Sequence, residues 1–152
     1  MPNIKKSIIK NVKFGKNCTI IDPVNLYDCE LGDNVFVGPF VEIQKGSKIG
    51  SNTRISSHSF ICELVTIGKN CFIGHGVMFT NYLFKNPKEP KNEKKWLPTK
   101  IGDNVIIGSN STLLPVKVLN NAIIGAGSVV VKDIKKIGNY CGNPAKLIKK
   151  TY

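Results

Sequence analysis

Two pairs of polar residues, each pair eighteen positions apart, gather the side chains of this 152-residue chain that could do chemistry. Glu63 and Asn81 form one pair, Ser57 and His75 the other, and His58 stands beside Ser57. A carboxylate and an amide carbonyl both accept N–H bonds, so Glu63 and Asn81 suit the holding of an amine. An imidazole titrates near neutrality, which makes His75 the first candidate for a general base and His58 the second. Each has a plainer reading: a hydrogen-bonded corner histidine, a solvated turn carboxylate, an asparagine that caps the next turn through its own backbone. Zinc chemistry has little to work with, because such sites use mostly histidines and the chain holds 2 His.

The spacing matters because of the repeat that carries these residues. Read in sixes from Leu31, every first position is bulky and apolar: Leu31, Val37, Ile43, Ile49, Ile55, Ile61, Ile67, Ile73, Phe79. With 41% hydrophobic residues, nine hits in one phase have a chance of about three in ten thousand. Gly32, Gly38, Gly50, Gly68 and Gly74 follow five of them. A period of six suits neither a helix nor plain alternation. It suits a short strand and a tight corner, with one aliphatic residue per strand turned inward and glycine where the backbone bends. Three sixes close a triangular coil of eighteen residues, and the coils stack with parallel pairing. Glu63 and Asn81 then lie one above the other, as do Ser57 and His75, and the four with His58 are expected to gather on two consecutive coils.

Taken in order, the chain reads as one β-solenoid domain over 1–152. Residues 1–30 hold a looser repeat, with Val12, Cys18 and Val24 six apart and Leu31 one residue late, as terminal repeats often are. Regular coils fill 31–81 and 101–131. Between them, Tyr82 to Lys100 breaks the period with six lysines, three prolines and Trp96. An interruption of that length in a compact fold is usually functional or disordered; here it is expected to leave the prism at a corner and fold over a neighbouring surface. After Leu113 the phase slips by one residue within Leu114 to Leu119. The basic tail 132–152 abandons the repeat; Gly142-Asn143-Pro144 reads as a turn, followed by a short helix.

Composition narrows the function classes. There are 22 Lys plus Arg against 10 Asp plus Glu, a net charge of +12, which favours phosphorylated ligands. The lysines do not converge with stacking aromatics on a nucleic-acid module, and no apolar run approaches a membrane span of roughly 20 residues. No secretory leader is apparent at MPNIKKSIIKN, so a cytoplasmic location is expected. Five cysteines without a C-x-x-C pair are expected to be reduced and structural, with Cys71 at a core position.

Residues 31–81 and 101–146 resemble the left-handed parallel β-helix hexapeptide acyltransferases. Ile124-Gly-Ala-Gly-Ser-Val-Val-Val-Lys-Asp133, followed by Gly142-Asn-Pro-Ala-Lys146, is typical of the acetyl-CoA users among them. Ser57-His-Ser-Phe-Ile-Cys-Glu63, Ile73-Gly-His-Gly-Val-Met-Phe-Thr-Asn81 and Leu114-Pro-Val116 resemble the nucleotide-sugar 3-N-acetyltransferases, which make 3-acetamido sugars on dTDP or UDP for bacterial surface glycans such as O-antigen. The resemblance implies an all-β left-handed coil, a homotrimer with active sites between subunits, and acetyl-CoA as co-substrate without a metal. It also implies that Glu63 and Asn81 touch the amino sugar, that Ser109 and Ala126 border the pantetheine arm, and that Lys146 lies near the CoA phosphates; His58, where it is not the base, is expected to bind sugar or phosphate.

The chemistry so implied asks little of the protein. A neutral amine is already a nucleophile; it needs only to be held against the thioester carbonyl, with a backbone N–H facing the nascent oxyanion. The proton can leave on the departing sulfur without a protein base. The alternative is an O-acetyltransferase on a sugar hydroxyl, which needs His75 as a true general base. A non-catalytic binding or scaffold solenoid is the third class.

Overall fold

In the computed structural model, which describes residues 8–83 and 93–149, the sixes become strands of two to four residues. They stack into three sheets of seven, six and eight strands, in which every strand but the last pairs in parallel with the strand one coil away. The first sheet runs through Asn25–Tyr27, Glu42–Ile43, Phe60–Ile61, Met78–Phe79, Thr112–Leu113 and Val129–Val130. The second includes Glu30–Leu31, Lys48–Ile49, Val65–Ile67, Thr99–Ile101 and Lys117–Val118, and the third Phe36–Val37, Arg54–Ile55, Phe72–Ile73, Ile106–Ile107 and Ile123–Ile124. The chain passes from first to second to third sheet and round again, so the architecture is the parallel β-helix that the repeat implies.

One inward aliphatic side chain per strand makes the core. Ile43, Ile61, Phe79 and Leu113 stack down the first sheet in register, and all four are buried to within 1%. Full burial of each contributes roughly 1.5–3 kcal/mol. The fifth position of the sixes, held by Val35, Val41, Val65, Cys71 and Val77, is buried too, so Cys71 is the core residue expected. The five cysteines carry no disulfide among the described residues, and Cys29 and Cys62 are also buried.

The pairing registers separate the three corners. Call a corner first, second or third after the sheet it leaves. At the second corner the spacing between inward residues is six in every coil, from Phe14 to Ile20 through to Val118 to Ile124. The third corner is equally constant, as from Val37 to Ile43 or Ile107 to Leu113. All irregularity falls on the first: five residues from Leu26 to Leu31, six from Ile43 to Ile49, twenty-two from Phe79 to Ile101, five from Leu113 to Val118. The late Leu31, the long interruption and the slip after Leu113 are thus one phenomenon at one edge of the prism.

At that edge the interruption leaves after Asn81, and its base is closed by the Leu97 N–H donating to the Asn81 carbonyl at 2.7 Å. The lysines at 85, 88 and 91 lie outside the described residues, so the expected cover over a neighbouring surface does too. A single 3-10 turn, Glu93–Lys95, is the only helical element among the described residues.

The tail corrects one expectation. Instead of a helix after Gly142-Asn143-Pro144, Lys146–Lys149 form a strand that folds back antiparallel on Asn139–Cys141. Without that strand the outer edge of Asn139–Cys141 would be unpaired, and hydrogen bonding it satisfies more backbone groups than a free helical turn would. The strand assignment extends through Lys149.

Candidate functional site

Glu63 sits at the first corner of its coil, followed by Leu64 in the left-handed region (φ 68°), and Asn81 stands one coil above. The Asn81 Nδ2 donates to the Glu63 carbonyl at 3.4 Å, and Asn81 Oδ1 receives no donor among the described residues. One coil below, Gln44 Oε1 accepts from the Glu63 N–H at 3.3 Å, while Gln44 Nε2 donates to Glu42 at 2.7 Å. The peptide groups of Glu63 therefore hold two amides, one from each neighbouring coil, in fixed orientations. Both amides line a cleft of about 730 Å³ between this corner and the base of the interruption, walled by Phe60, Phe79, Tyr82, Trp96 and Leu114. Apolar walls with a few oriented polar groups are the usual make-up of a small-molecule site.

The surroundings of this corner are anionic in a cationic chain. Tyr27, in the strand below Gln44, has its phenol pushed up by burial first and then by Glu42, Glu63 and Asp28. Burial pushes the Cys62 thiol, which lines the cleft, up to about 12.

His75 belongs to the third corner. Its Nδ1 lies 2.8 Å from Ser57 Oγ, one coil below, and its N–H donates to Ser109 Oγ, one coil above, at 3.1 Å. The column continues to Ala126, next to Gly127, whose N–H donates to the Ser109 carbonyl at 2.8 Å. His75 is exposed, and its anchored Nδ1 leaves Nε2 for a ligand. His58, beside Ser57, is exposed and has φ 63°; its ring stacks on Phe40 with centroids 4.8 Å apart and planes 17° off parallel. Lys146 is exposed in the final hairpin, opposite Cys141.

The pairs expected from the eighteen-residue spacing are therefore in contact, Ser57 with His75 and Glu63 with Asn81. The expectation that all of them form one cluster is corrected. Glu63 and Asn81 turn at the first corner, His58 and His75 at the third, on opposite edges of the first sheet. The physical reason is the repeat itself: Glu63 comes six residues after Ser57, which is one corner further round the coil. His75, Ser109 and Ala126, by contrast, share a column. Sequence reasoning missed Gln44, Trp96 and Phe40. Gln44 was within reach of the same arithmetic, being eighteen before Cys62, and Phe40 is the aromatic residue in a column that otherwise holds His58, Gly76, Asn110 and Gly127. No group of three His, Cys, Asp or Glu that could hold a metal ion occurs among the described residues.

Two family descriptions match the chain: bacterial transferase hexapeptide (six repeats) over residues 28–63, and hexapeptide repeat of succinyl-transferase over 64–78 and 98–132. Together they take in more than half of its length. The chain belongs to the hexapeptide-repeat family. Among curated members, the bifunctional protein GlmU of Limosilactobacillus fermentum is 40% identical over 87 residues, covering 57% of this hexapeptide-repeat chain and 17% of that protein. The chain spans less than a third of the length of the curated relatives it matches.

Solved structures share the fold more fully. AntD, an N-acyltransferase from Bacillus cereus in complex with dTDP and coenzyme A, has a TM-score of 0.72 at 22% identity, covering 94% of this chain and 82% of that one. Perosamine N-acetyltransferase from Caulobacter crescentus, in complex with CoA and GDP-perosamine, has a TM-score of 0.67 at 21% identity, covering 93% and 57%. A maltose O-acetyltransferase from Clostridium difficile has a TM-score of 0.56 at 26% identity, covering 92% and 70%.

Proposed function

We propose that this hexapeptide-repeat protein is an acetyl-CoA-dependent N-acetyltransferase that acetylates the 3-amino group of a dTDP- or UDP-linked amino-deoxy sugar, in the cytoplasm, for a bacterial surface glycan. The observation that carries the reading is Asn81. Its amide nitrogen is committed to the Glu63 carbonyl, so its oxygen is offered to an N–H donor at the edge of a mostly apolar cleft. The complexes of the similar structures with CoA, dTDP and GDP-perosamine lend it support.

In the reaction the neutral amine nitrogen forms a bond to the thioester carbonyl carbon, and the carbon–sulfur bond then breaks. The nitrogen's proton leaves with the CoA thiol. Asn81 and Glu63 align the amine's lone pair by accepting its N–H bonds, a positioning effect that needs no protein base. Ser109 and Ala126 border the pantetheine arm and Lys146 meets CoA phosphate, with His58 on the acceptor.

The protein acts as a homotrimer with its sites between subunits. Within one chain, His75 and Asn81 stand on opposite edges of the first sheet, so a site using both takes the third corner of one subunit and the first corner of the next. Thiol release from acetyl-CoA against dTDP- and UDP-linked 3-amino sugars tests the reading. Turnover with one of them, crippled by Asn81→Ala and only slowed by His75→Ala, is expected. Refolding the two inactive or slowed variants together at equal ratio should return wild-type sites to about a quarter of the total. Thiol release no faster than hydrolysis with every amino sugar would sink the proposal.

A second reading, O-acetylation of a sugar hydroxyl, has its own observation in favour. Ser57 anchors His75 Nδ1 at 2.8 Å, the arrangement a general base needs, and the maltose O-acetyltransferase is among the similar structures. Complete loss of activity in His75→Ala, with hydroxyl acceptors turned over, selects it.

A further inference from the structure

Phe40 is out of place by every local rule of this fold. It turns the third corner with φ 61°, a conformation in which bulky non-glycine residues are outliers. The corner requires that conformation because its residue sends its N–H back to the coil below: Phe40 to Pro23, His58 to Pro39, Gly76 to Ser57, Asn110 to His75, Gly127 to Ser109. Three of the five are the expected glycine or asparagine. Phe40 and His58 are not, and Phe40 is also 58% exposed. The fold thus carries a strained apolar ring in solvent, where neither burial nor local geometry explains it.

The two exceptions are adjacent and parallel, with centroids 4.8 Å apart and planes within 17°. His58 covers one face of Phe40. The high exposure of the phenyl ring means that much of its remaining surface is open. Along the same edge, toward the C-terminal coils, lie His75 hydrogen-bonded to Ser57, then Ser109 and Ala126.

We infer that Phe40, backed by His58, is a stacking platform for a nucleobase. An exposed aromatic plane is recognised by another π-face and is indifferent to hydrogen-bonding pattern, which is how nucleobases are held by single rings elsewhere. The choice of base rests on the transfer reading: the donor is assigned to Ser109, Ala126 and Lys146 on the C-terminal side of His75, so the platform on the N-terminal side takes the base of the acceptor nucleotide. Adenine of CoA offers the same chemistry from a second source.

The test is calorimetric titration of native protein, Phe40→Asn and Phe40→Trp with dTDP, UDP, GDP and CoA. Asparagine is what this fold uses at left-handed corners, so Phe40→Asn should melt at or above the native temperature while binding one nucleoside diphosphate roughly five- to hundredfold more weakly; Phe40→Trp should bind at least as well as native. A loss confined to CoA would keep the platform and assign it to adenine. Unchanged affinities in Phe40→Asn, or no binding of any of the four by native protein, overturn the inference, as does a variant that changes only sedimentation. Weakened nucleotide binding without acetylation of any amino sugar would leave the platform standing and remove the transferase reading.

Discussion

At the second corner of the prism an asparagine stands in the left-handed region coil after coil: Asn17, Asn34, Asn52, Asn70, Asn104, Asn121. Each of the last five joins an amide ladder, Asn34 to Asn52 at 3.0 Å, Asn52 to Asn70 at 3.2 Å, Asn70 to Asn104 at 3.3 Å and Asn104 to Asn121 at 3.0 Å. Their backbone N–H groups meanwhile donate to the preceding coil, as Asn52 does to Asp33. Among the described residues the first corner has no such ladder along its length, and its spacing runs from five to twenty-two. A corner bonded to both neighbours through side chain and backbone cannot gain or lose a residue without breaking its column. One held by separate bonds that do not repeat from coil to coil can, and there the cleft with Asn81, Gln44 and Trp96 has been built.

The contrast can be broken most forcefully by deletion. Removing Asn52 should leave no soluble, cooperatively melting protein, because every inward residue after it loses its partner. Removing Lys45, at a first corner that spans five residues in other coils, should still give a folded protein that melts several degrees lower. Circular dichroism melts of the two decide it; equal damage would refute the distinction.

Glycines offer a finer comparison. A Cβ at Gly50, beside the second corner, would meet the backbone carbonyl of Gly68 at 2.5 Å, while one at Gly46, at the first, would meet nothing within 4 Å. Gly50→Ala should cost roughly 2–4 kcal/mol by overpacking against backbone, and Gly46→Ala only about 1 kcal/mol for its positive φ, measured by urea titration.

Thiols report whether the variable edge is loose or merely variable. Burial pushes Cys62, at the first corner, up to about 12, Cys29 up to about 11, and Cys71, at the second, in the same direction, all from an ordinary 9.0. A folded-state value raised above the unfolded one means stability fully present below pH 9 and lost as pH climbs through the folded values. Melting temperature should therefore fall above pH 9. At pH 8.5 iodoacetamide should modify half-buried Cys18 and Cys141 first, with Cys62 as protected as Cys71; rapid modification of Cys62 would show that the first corner opens.

The smallest effect belongs to Ser56, which occupies the place of Gly38 and Gly74 at the constant third corner. It is 2% exposed, and its hydroxyl has no hydrogen-bond partner among the described residues. Ser56→Ala should be neutral or stabilising by up to about 1 kcal/mol, because an unpaired buried hydroxyl is removed.

Much of this was legible from residue spacing. The run from Leu31 to Phe79 fixes strand, inward face and register together, because each inward residue must meet another one coil away. The contact of Asn81 with Glu63 follows from the same rule. What spacing alone concealed was direction: residues six apart share a phase yet face a third of a turn apart, which is why His75 parted from Asn81. The tail escaped for a different reason. Lys146-Leu147-Ile148-Lys149 has no pattern that distinguishes strand from helix, and its conformation is decided by the sheet edge it covers.

That edge gives the final hairpin a further meaning. A parallel stack of identical rungs is by construction open to continuation, since the hydrogen-bonding groups of its last rung match those of a first rung on another molecule. By reversing direction, Lys146–Lys149 presents the third sheet's end with an antiparallel strand flanked by lysines. The turn at Gly142 to Pro144 thus acts as a terminator for the parallel ladder of the third sheet.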